Sequence, residues 1–174
     1  METLIKMAPV ISAIMPLIVI LITGIWVNNR IEKLKDRLQM NQSIIQKRAE
    51  FYSKIQDDLN NIYSYIKRVG SWKNQTPISI LQSKRLVDQK FHTTKPYWSK
   101  NTMSEYQKFM AVCFQTYRGH GLDAGIRAEV EHYKTLQNWE SSFSDSFVSD
   151  FNSELVGSAY DKFMDALSKD FGLS

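Results

Sequence analysis

The chain has 174 residues, only four Pro and seven Gly, and a formal net charge of +4. Its length fits one domain, or one small domain with an appendage, and the scarcity of helix breakers favours helices over a strand-rich fold. The single cysteine, Cys113, excludes an intrachain disulfide, which fits a domain that faces a reducing compartment.

Charge is unevenly distributed along the chain. Residues 30–48 hold six Lys/Arg and two acids, residues 67–108 hold nine Lys/Arg and two acids, and residues 140–174 hold seven acids and two lysines. Two basic blocks ahead of an acidic end suggest an anionic partner near the front of the molecule. The alternative is a set of solvated helix faces.

The first segment predicts a transmembrane helix. Met7 to Val27 carries no charge and reaches about 31 Å as a helix, which is enough to cross the hydrocarbon core. A cleaved signal peptide would have a basic run ahead of a shorter apolar core, and this front end has only Glu2 and Lys6. Because basic residues follow the segment from Arg30 onward, we expect a single-pass anchor with the C-terminal domain in the cytoplasm.

One side of this helix differs from the aliphatic remainder. At 100° per residue, one arc of about 100° holds the small or polar positions, and Arg30 continues the same line. A ring of anchors needs one face for lipid and another for neighbours or a lumen, so we expect self-association. The predicted pore-lining residues are Ser12, Pro16, Val19, Thr23 and Arg30. The alternative is that the hydroxyl groups bond back to their own helix.

A long helix is expected to follow the anchor. No Gly or Pro occurs between Gly24 and Gly70, and apolar residues keep heptad spacing, broken only at Asn41 and Arg48. The pattern predicts one helix from the membrane to about Val69. Such a seam needs a partner, either the rest of the domain or a second copy of the chain.

Four further helices are expected, and no convincing strand. One starts at Thr76–Pro77, with Thr76 as the cap, and another starts at Thr102, with Glu105 three residues later. The last two span about residues 124–138 and 153–169. The predicted fold is therefore all-α. It comprises an anchor over residues 1–29, a basic stalk helix over 30–48 and a cytoplasmic helical bundle over 49–174.

Arg127 and His132 form the sharpest motif. A metal-independent ribonuclease can use an arginine to stabilise phosphate charge and a histidine to move the proton of a 2′-hydroxyl. Five residues apart on a regular helix, the two side chains diverge by about 140°, so they would converge only through a distorted helix or a second subunit. The alternative is a surface arginine and an unrelated histidine.

A second candidate site is basic. The stretch from residue 67 to 108 interleaves positive charges with aromatic residues, as an RNA- or partner-binding surface does. Its predicted binding residues are Lys67, Arg68, Lys73, Lys84, Arg85 and Lys90. The alternative is solvated charge with aromatics in the core. The histidines and Cys113 lack metal-ligand spacing, so neither a metal nor a cofactor is expected.

The anchor, the helical bundle and the Arg127/His132 pair together resemble the membrane-anchored accessory proteins of type VI-B CRISPR systems, which carry a divergent HEPN (higher eukaryotes and prokaryotes nucleotide-binding) domain. The resemblance implies a HEPN-like bundle and a role in antiphage defence beside an RNA-guided RNA-targeting nuclease. It further implies assembly into a homo-octameric pore that depolarises the bacterial inner membrane. Active HEPN nucleases usually place Asn, His or Asp after the arginine, whereas Ala128 stands here, which favours a non-catalytic role for the pair.

Two alternatives to the pore stay open. A membrane-tethered HEPN ribonuclease would use Arg127 and His132 as catalytic residues. A membrane adaptor would recruit an RNA–protein complex through the basic surface, by binding that weakens with salt.

Overall fold

The computed structural model describes residues 2–149 and 152–173, apart from the side chains of residues 2–18 and of Ser153. The described part is mostly helical, with a small three-stranded sheet. Its α-helices are α1 (Glu2–Ser53), α2 (Gln56–Lys67), α3 (Pro77–Thr93), α4 (Lys100–Cys113) and α5 (Ser153–Asp170). Its strands are β1 (Phe114–Gln115), β2 (Gly125–Arg127) and β3 (Phe147–Val148). Short 3-10 helices occupy Trp72–Asn74, Lys95–Tyr97, Val130–His132 and Ser141–Ser146.

The prediction of a transmembrane helix is wrong. Among the described residues, no helix is both long enough and apolar enough to cross a membrane. The predicted span, Met7 to Val27, extends into residues whose side chains lie outside the description. Charged residues follow the uncharged stretch of α1 from Arg30 onward.

The chain divides into two compact units, one ending at Ile44 and the other beginning at Ile45. The first unit consists of the larger part of α1. The second unit holds the end of α1, the other four α-helices and the sheet.

The expected continuous helix to Val69 is interrupted. Helix α1 ends at Ser53, the chain turns at Lys54–Ile55, and α2 begins at Gln56. Ile55 interrupts the helix, because its backbone angles, φ −129° and ψ −10°, are not those of an α-helix. Its side chain is buried in the core. The far end also differs from the prediction, because Arg68 and not Gly70 closes α2. Arg68 adopts the left-handed conformation, at φ 58°, that usually favours glycine.

Local capping signals set the beginnings of the next two helices. Thr76 caps α3 as expected: its hydroxyl accepts from the Ser79 amide at 3.2 Å, and the Ser79 hydroxyl accepts from the Thr76 amide at 3.0 Å. Helix α4 starts earlier than predicted, because Ser99 takes the cap position and accepts from the Thr102 amide. The Thr102 hydroxyl is buried and donates to the Ala166 carbonyl of α5 instead.

The predicted helix over residues 124–138 is wrong, and so is the expectation that strands are absent. Strand β2 lies at the centre of the sheet, antiparallel to β1 and parallel to β3. Gly125 is required by a close approach: a Cβ there would lie 2.6 Å from Val148 Cγ1 and 2.9 Å from Arg118 Cδ. Pairing with segments distant in the sequence therefore overrides the helical pattern.

Aromatic side chains fill the core of the second unit. Phe91 of α3 stacks on Tyr106 of α4 with ring centroids 4.1 Å apart, and Phe163 of α5 meets both rings. Helix α5 spans Ser153–Asp170, close to its predicted bounds, and packs along α4 and α2. The core therefore joins the four helices of this unit that follow α1.

Arg48 makes structural contacts within the second unit. The sequence had marked it only as a break in the predicted heptad seam. Its Nε donates to the Tyr97 carbonyl at 2.6 Å, and its Nη1 donates to the Asp170 carbonyl. The Asp170 carboxylate lies 3.8 Å from Arg48 Nη2 and also accepts from the Ser99 amide at 2.9 Å. Arg48 thus ties the end of α1 to the end of α5.

Candidate functional sites

The structure places Arg127 and His132 on different elements. Arg127 is the last residue of β2, half-buried, and faces Val148 of β3 in the strand register. His132 closes the 3-10 helix Val130–His132 and is exposed. The regular helix that the motif was expected to occupy does not exist.

The surroundings of His132 are acidic. Its Nε2 lies 2.8 Å from the Glu129 carboxylate, and Glu131 is its direct neighbour. A surface pocket of about 670 Å³ lies beside this segment and is lined by both glutamates, but by neither His132 nor Arg127. Glu131 is paired with Lys134 at 2.6 Å, so Glu129 is the carboxylate that most directly opposes a phosphate beside the histidine.

The predicted pore-lining residues all lie on α1. The side chains of Ser12 and Pro16 lie outside the described residues. The Thr23 hydroxyl donates to the Val19 carbonyl of its own helix at 2.6 Å. This is the alternative in which the hydroxyl group does not face neighbours or a lumen. The Arg30 guanidinium lies 5.0 Å from the centroid of the Trp26 ring, within the range of a cation–π contact.

Val19, Thr23 and Trp26 belong to a larger feature, which we call the apolar stretch, residues 19–26 of α1. Six large apolar side chains within it are between 58% and 67% exposed. They are Val19, Ile20, Leu21, Ile22, Ile25 and Trp26. They point to all sides of the helix, and residues 19–26 carry no charge.

The predicted basic surface loses two of its members to intramolecular pairs. Lys84 is buried and donates to Asp88 Oδ2 at 2.5 Å, and exposed Arg85 pairs with Asp123. Lys73 lies 5.9 Å from the centroid of the Trp72 ring. The remaining members occupy the end of α2 and the end of α3: Lys67, Arg68 and Lys90.

The aromatic residues of the same stretch mostly belong to the core. Phe91 and Trp98 are buried and stack on each other at 5.4 Å, and the Trp98 indole donates to the Thr94 hydroxyl at 2.9 Å. Tyr97 is the more exposed ring and contacts Phe51. Buried rings cannot stack on nucleotide bases, so the sequence pattern overstated the resemblance to an RNA-binding platform.

Sequence reasoning missed the role of Lys84 as the buried member of a partly buried polar cluster. The Tyr106 hydroxyl donates to Asp88 Oδ1 while Lys84 holds the other oxygen, and the ammonium lies 5.6 Å from the centroid of the Phe114 ring. Burial, with the Asp88 charge second, raises the pKa of Tyr106 far above its ordinary value. The four-residue spacing of Lys84 and Asp88 was the available signal, since it brings two side chains together on a helix.

The described residues contain no cluster of His, Cys, Asp and Glu that could hold a metal ion. Cys113 is fully buried at the end of α4, and burial raises the pKa of its thiol well above the ordinary value. A protonated, enclosed thiol is a poor nucleophile and a poor metal ligand, which makes Cys113 a packing residue.

No protein-family model, no curated protein and no solved structure matches this chain.

Proposed function

We propose that the chain is a non-catalytic accessory protein of antiphage defence that acts at the bacterial inner membrane. Copies of it assemble there and depolarise the membrane while an RNA-guided nuclease degrades target RNA. The single observation that carries the membrane part is the apolar stretch of α1, six large side chains exposed on all sides of one helix. The defence role and the octameric pore rest on the resemblance alone.

The apolar stretch needs apolar surroundings. Fully burying one side chain of this size stabilises by about 1.5–3 kcal/mol. With six of them exposed to water, the isolated chain lacks this favourable free energy of burial for each one. A helix that is apolar on all sides is normally buried in protein or lipid, and contiguous exposed apolar surface marks a binding site. Contact with acyl chains or with further copies of the chain would bury these side chains. This burial does not require a helix that spans the bilayer.

A non-catalytic role is supported by the segment that holds the ribonuclease motif. Arg127 lies on a strand, and His132 lies on a 3-10 helix where its ring contacts a carboxylate. An active pair would require a phosphate site beside the histidine, and the Glu129 carboxylate against its ring opposes one. The ribonuclease alternative therefore rests on two residues that lie on separate elements.

Liposome binding and dye release test the proposal. We expect the purified full chain to float with vesicles of inner-membrane composition and to release an entrapped dye. Leu21→Asp with Ile25→Asp should abolish both, because charge in the apolar stretch opposes burial. Leu122→Asp is the matched control, since Leu122 is a comparably exposed leucine in a loop of the second unit.

The same preparation separates the alternatives. A chain that neither floats nor releases dye refutes the membrane role. RNA cleavage that disappears in His132→Ala would establish the ribonuclease instead. Salt-sensitive RNA binding on intact vesicles, lost in Lys73→Glu, would establish the adaptor.

A further inference from the structure

The first unit carries a second apolar feature, which we call the α1 row: Val27, Ile31, Leu34 and Leu38. All four side chains are exposed, between 41% and 62%. At 100° per residue they fall within an arc of about 60°. Their spacing of four, three and four residues is that of the a and d positions of a coiled coil, a narrower stripe than a helix lying on a flat surface presents.

Basic side chains flank the α1 row on both sides. Arg30 and Arg37 lie on one side and Lys35 on the other, each about 70° to 90° from the centre of the row. The acids of the same segment, Glu32 and Asp36, lie about 130° and 170° away, on the opposite face. Among the described residues, no salt bridge joins these three bases to an acid.

This charge pattern disfavours a second copy of the chain as the occupant of the row. In a parallel pair, the g position of one helix faces the following e position of the other, so Arg30 would meet Lys35 of the copy. In an antiparallel pair, g positions face g positions and e positions face e positions, so Arg30 would again approach a basic residue such as Arg37 of the copy. Both orientations therefore place like charges together, beside an apolar seam that otherwise favours pairing.

We propose that the α1 row binds an amphipathic helix of a different protein, with apolar residues at its own a and d positions and acidic residues at its e and g positions. The apolar row supplies the buried seam, and Arg30, Lys35 and Arg37 supply the charges that select an acidic partner. Asn41 occupies the next d position and sets the register, since a polar residue in the seam prefers a polar residue opposite.

A designed peptide of three heptads provides the probe. It carries Ile at a, Leu at d, one Asn to face Asn41 and Glu at e and g; its matched counterpart has Lys in place of every Glu. Binding to the full chain is measured by fluorescence anisotropy. We expect the acidic peptide to bind at least about tenfold tighter than the basic one, and raised salt to narrow that difference.

Substitutions locate the binding to the row. Leu34→Ser with Leu38→Ser should weaken binding at least about tenfold, because two buried leucines are lost from the seam. Met40→Ser is the matched control, because Met40 is 64% exposed on the same helix but lies about 150° from the centre of the row. It should leave the affinity unchanged.

Charge reversal gives a gain that misfolding cannot mimic. Arg30→Glu, Lys35→Glu and Arg37→Glu together should exchange the preference, so that the basic peptide binds tighter than the acidic one. The inference is overturned if neither peptide binds, or if both bind equally. Binding that ignores the leucine substitutions would identify a polyanion site, and self-association that requires Leu34 and Leu38 would identify a second copy as the occupant. The peptide assay uses no vesicles, so its failure is distinct from failure of the membrane role.

Discussion

Two neighbouring tyrosines in the core should respond oppositely to the same change, the loss of one hydroxyl group. Tyr65 and Tyr133 are both buried, with ring centroids 4.7 Å apart. The Tyr133 hydroxyl donates to the Tyr65 carbonyl at 2.9 Å, whereas the Tyr65 hydroxyl has no hydrogen-bond partner among the described residues. Phenylalanine at either position keeps the ring and removes only the oxygen.

The structure sets the sign of each effect. A buried polar group without a partner is destabilising by about 1–3 kcal/mol, and the small cavity left by one oxygen offsets a few tenths of this. Tyr65→Phe should therefore raise the free energy of unfolding by about 1 kcal/mol. Tyr133→Phe removes a bond worth about 0.5–1.5 kcal/mol and should lower it. The Tyr65 carbonyl still accepts from the Arg68 amide at 3.3 Å, so the loss stays at that modest level.

Urea unfolding followed by tryptophan fluorescence measures both variants, since three of the four tryptophans lie in the second unit. A change of 1 kcal/mol shifts the midpoint by about 0.5 M at an unchanged slope. A Tyr65→Phe variant destabilised by 1 kcal/mol or more would refute the reasoning, because it would mean that the hydroxyl is hydrogen-bonded.

Three further outcomes are expected. Arg48→Met should destabilise the second unit by about 2–4 kcal/mol in the same urea assay, because it leaves buried Asp170 without its cation. The control Lys47→Met, at an exposed neighbour, should change stability by less than about 0.5 kcal/mol. Cys113 should resist alkylation in the native chain and react in urea, as mass spectrometry would detect; rapid native labelling would contradict its burial. Burial raises the pKa of Tyr65, Tyr106 and Tyr133, so above about pH 10 the unfolded chain holds fewer protons than the folded chain and stability falls. Three of the chain's eight tyrosines should therefore ionise only together with the loss of helical circular dichroism, and tyrosinate absorbance corresponding to all eight in a still helical chain would contradict the shifts.

Features that depend on a few neighbouring residues were readable from the sequence. The Thr76 cap, the proline after it and the bounds of α5 follow from hydrogen bonds and side-chain spacing within one or two turns. The α1 row and its basic flanks were equally visible, because helical periodicity fixes which side chains share a face. The sequence left open whether that seam packs against its own domain, and the structure shows Val27 to Leu38 exposed.

Features that depend on distant segments required the tertiary structure. Residues 125–127 carry a helical pattern, yet they form a strand because β1 and β3 supply the pairing partners for their backbone groups. The same pairing removes the single helix that was expected to carry both Arg127 and His132. The predicted transmembrane helix is also wrong, since no helix of the described residues is long and apolar enough to cross a bilayer.

The fate of individual charges was also decided by contacts across the chain. Arg48 was read as a break in a seam, but its guanidinium binds groups from two segments far along the sequence, ending at Asp170. Lys84 was counted as a surface charge, but it is buried and paired with half-buried Asp88, which also accepts from Tyr106. Sequence alone determines which charges and which faces a helix can present. Only packing decides which of them are desolvated and paired, because the free energy of a charge depends on everything that surrounds it.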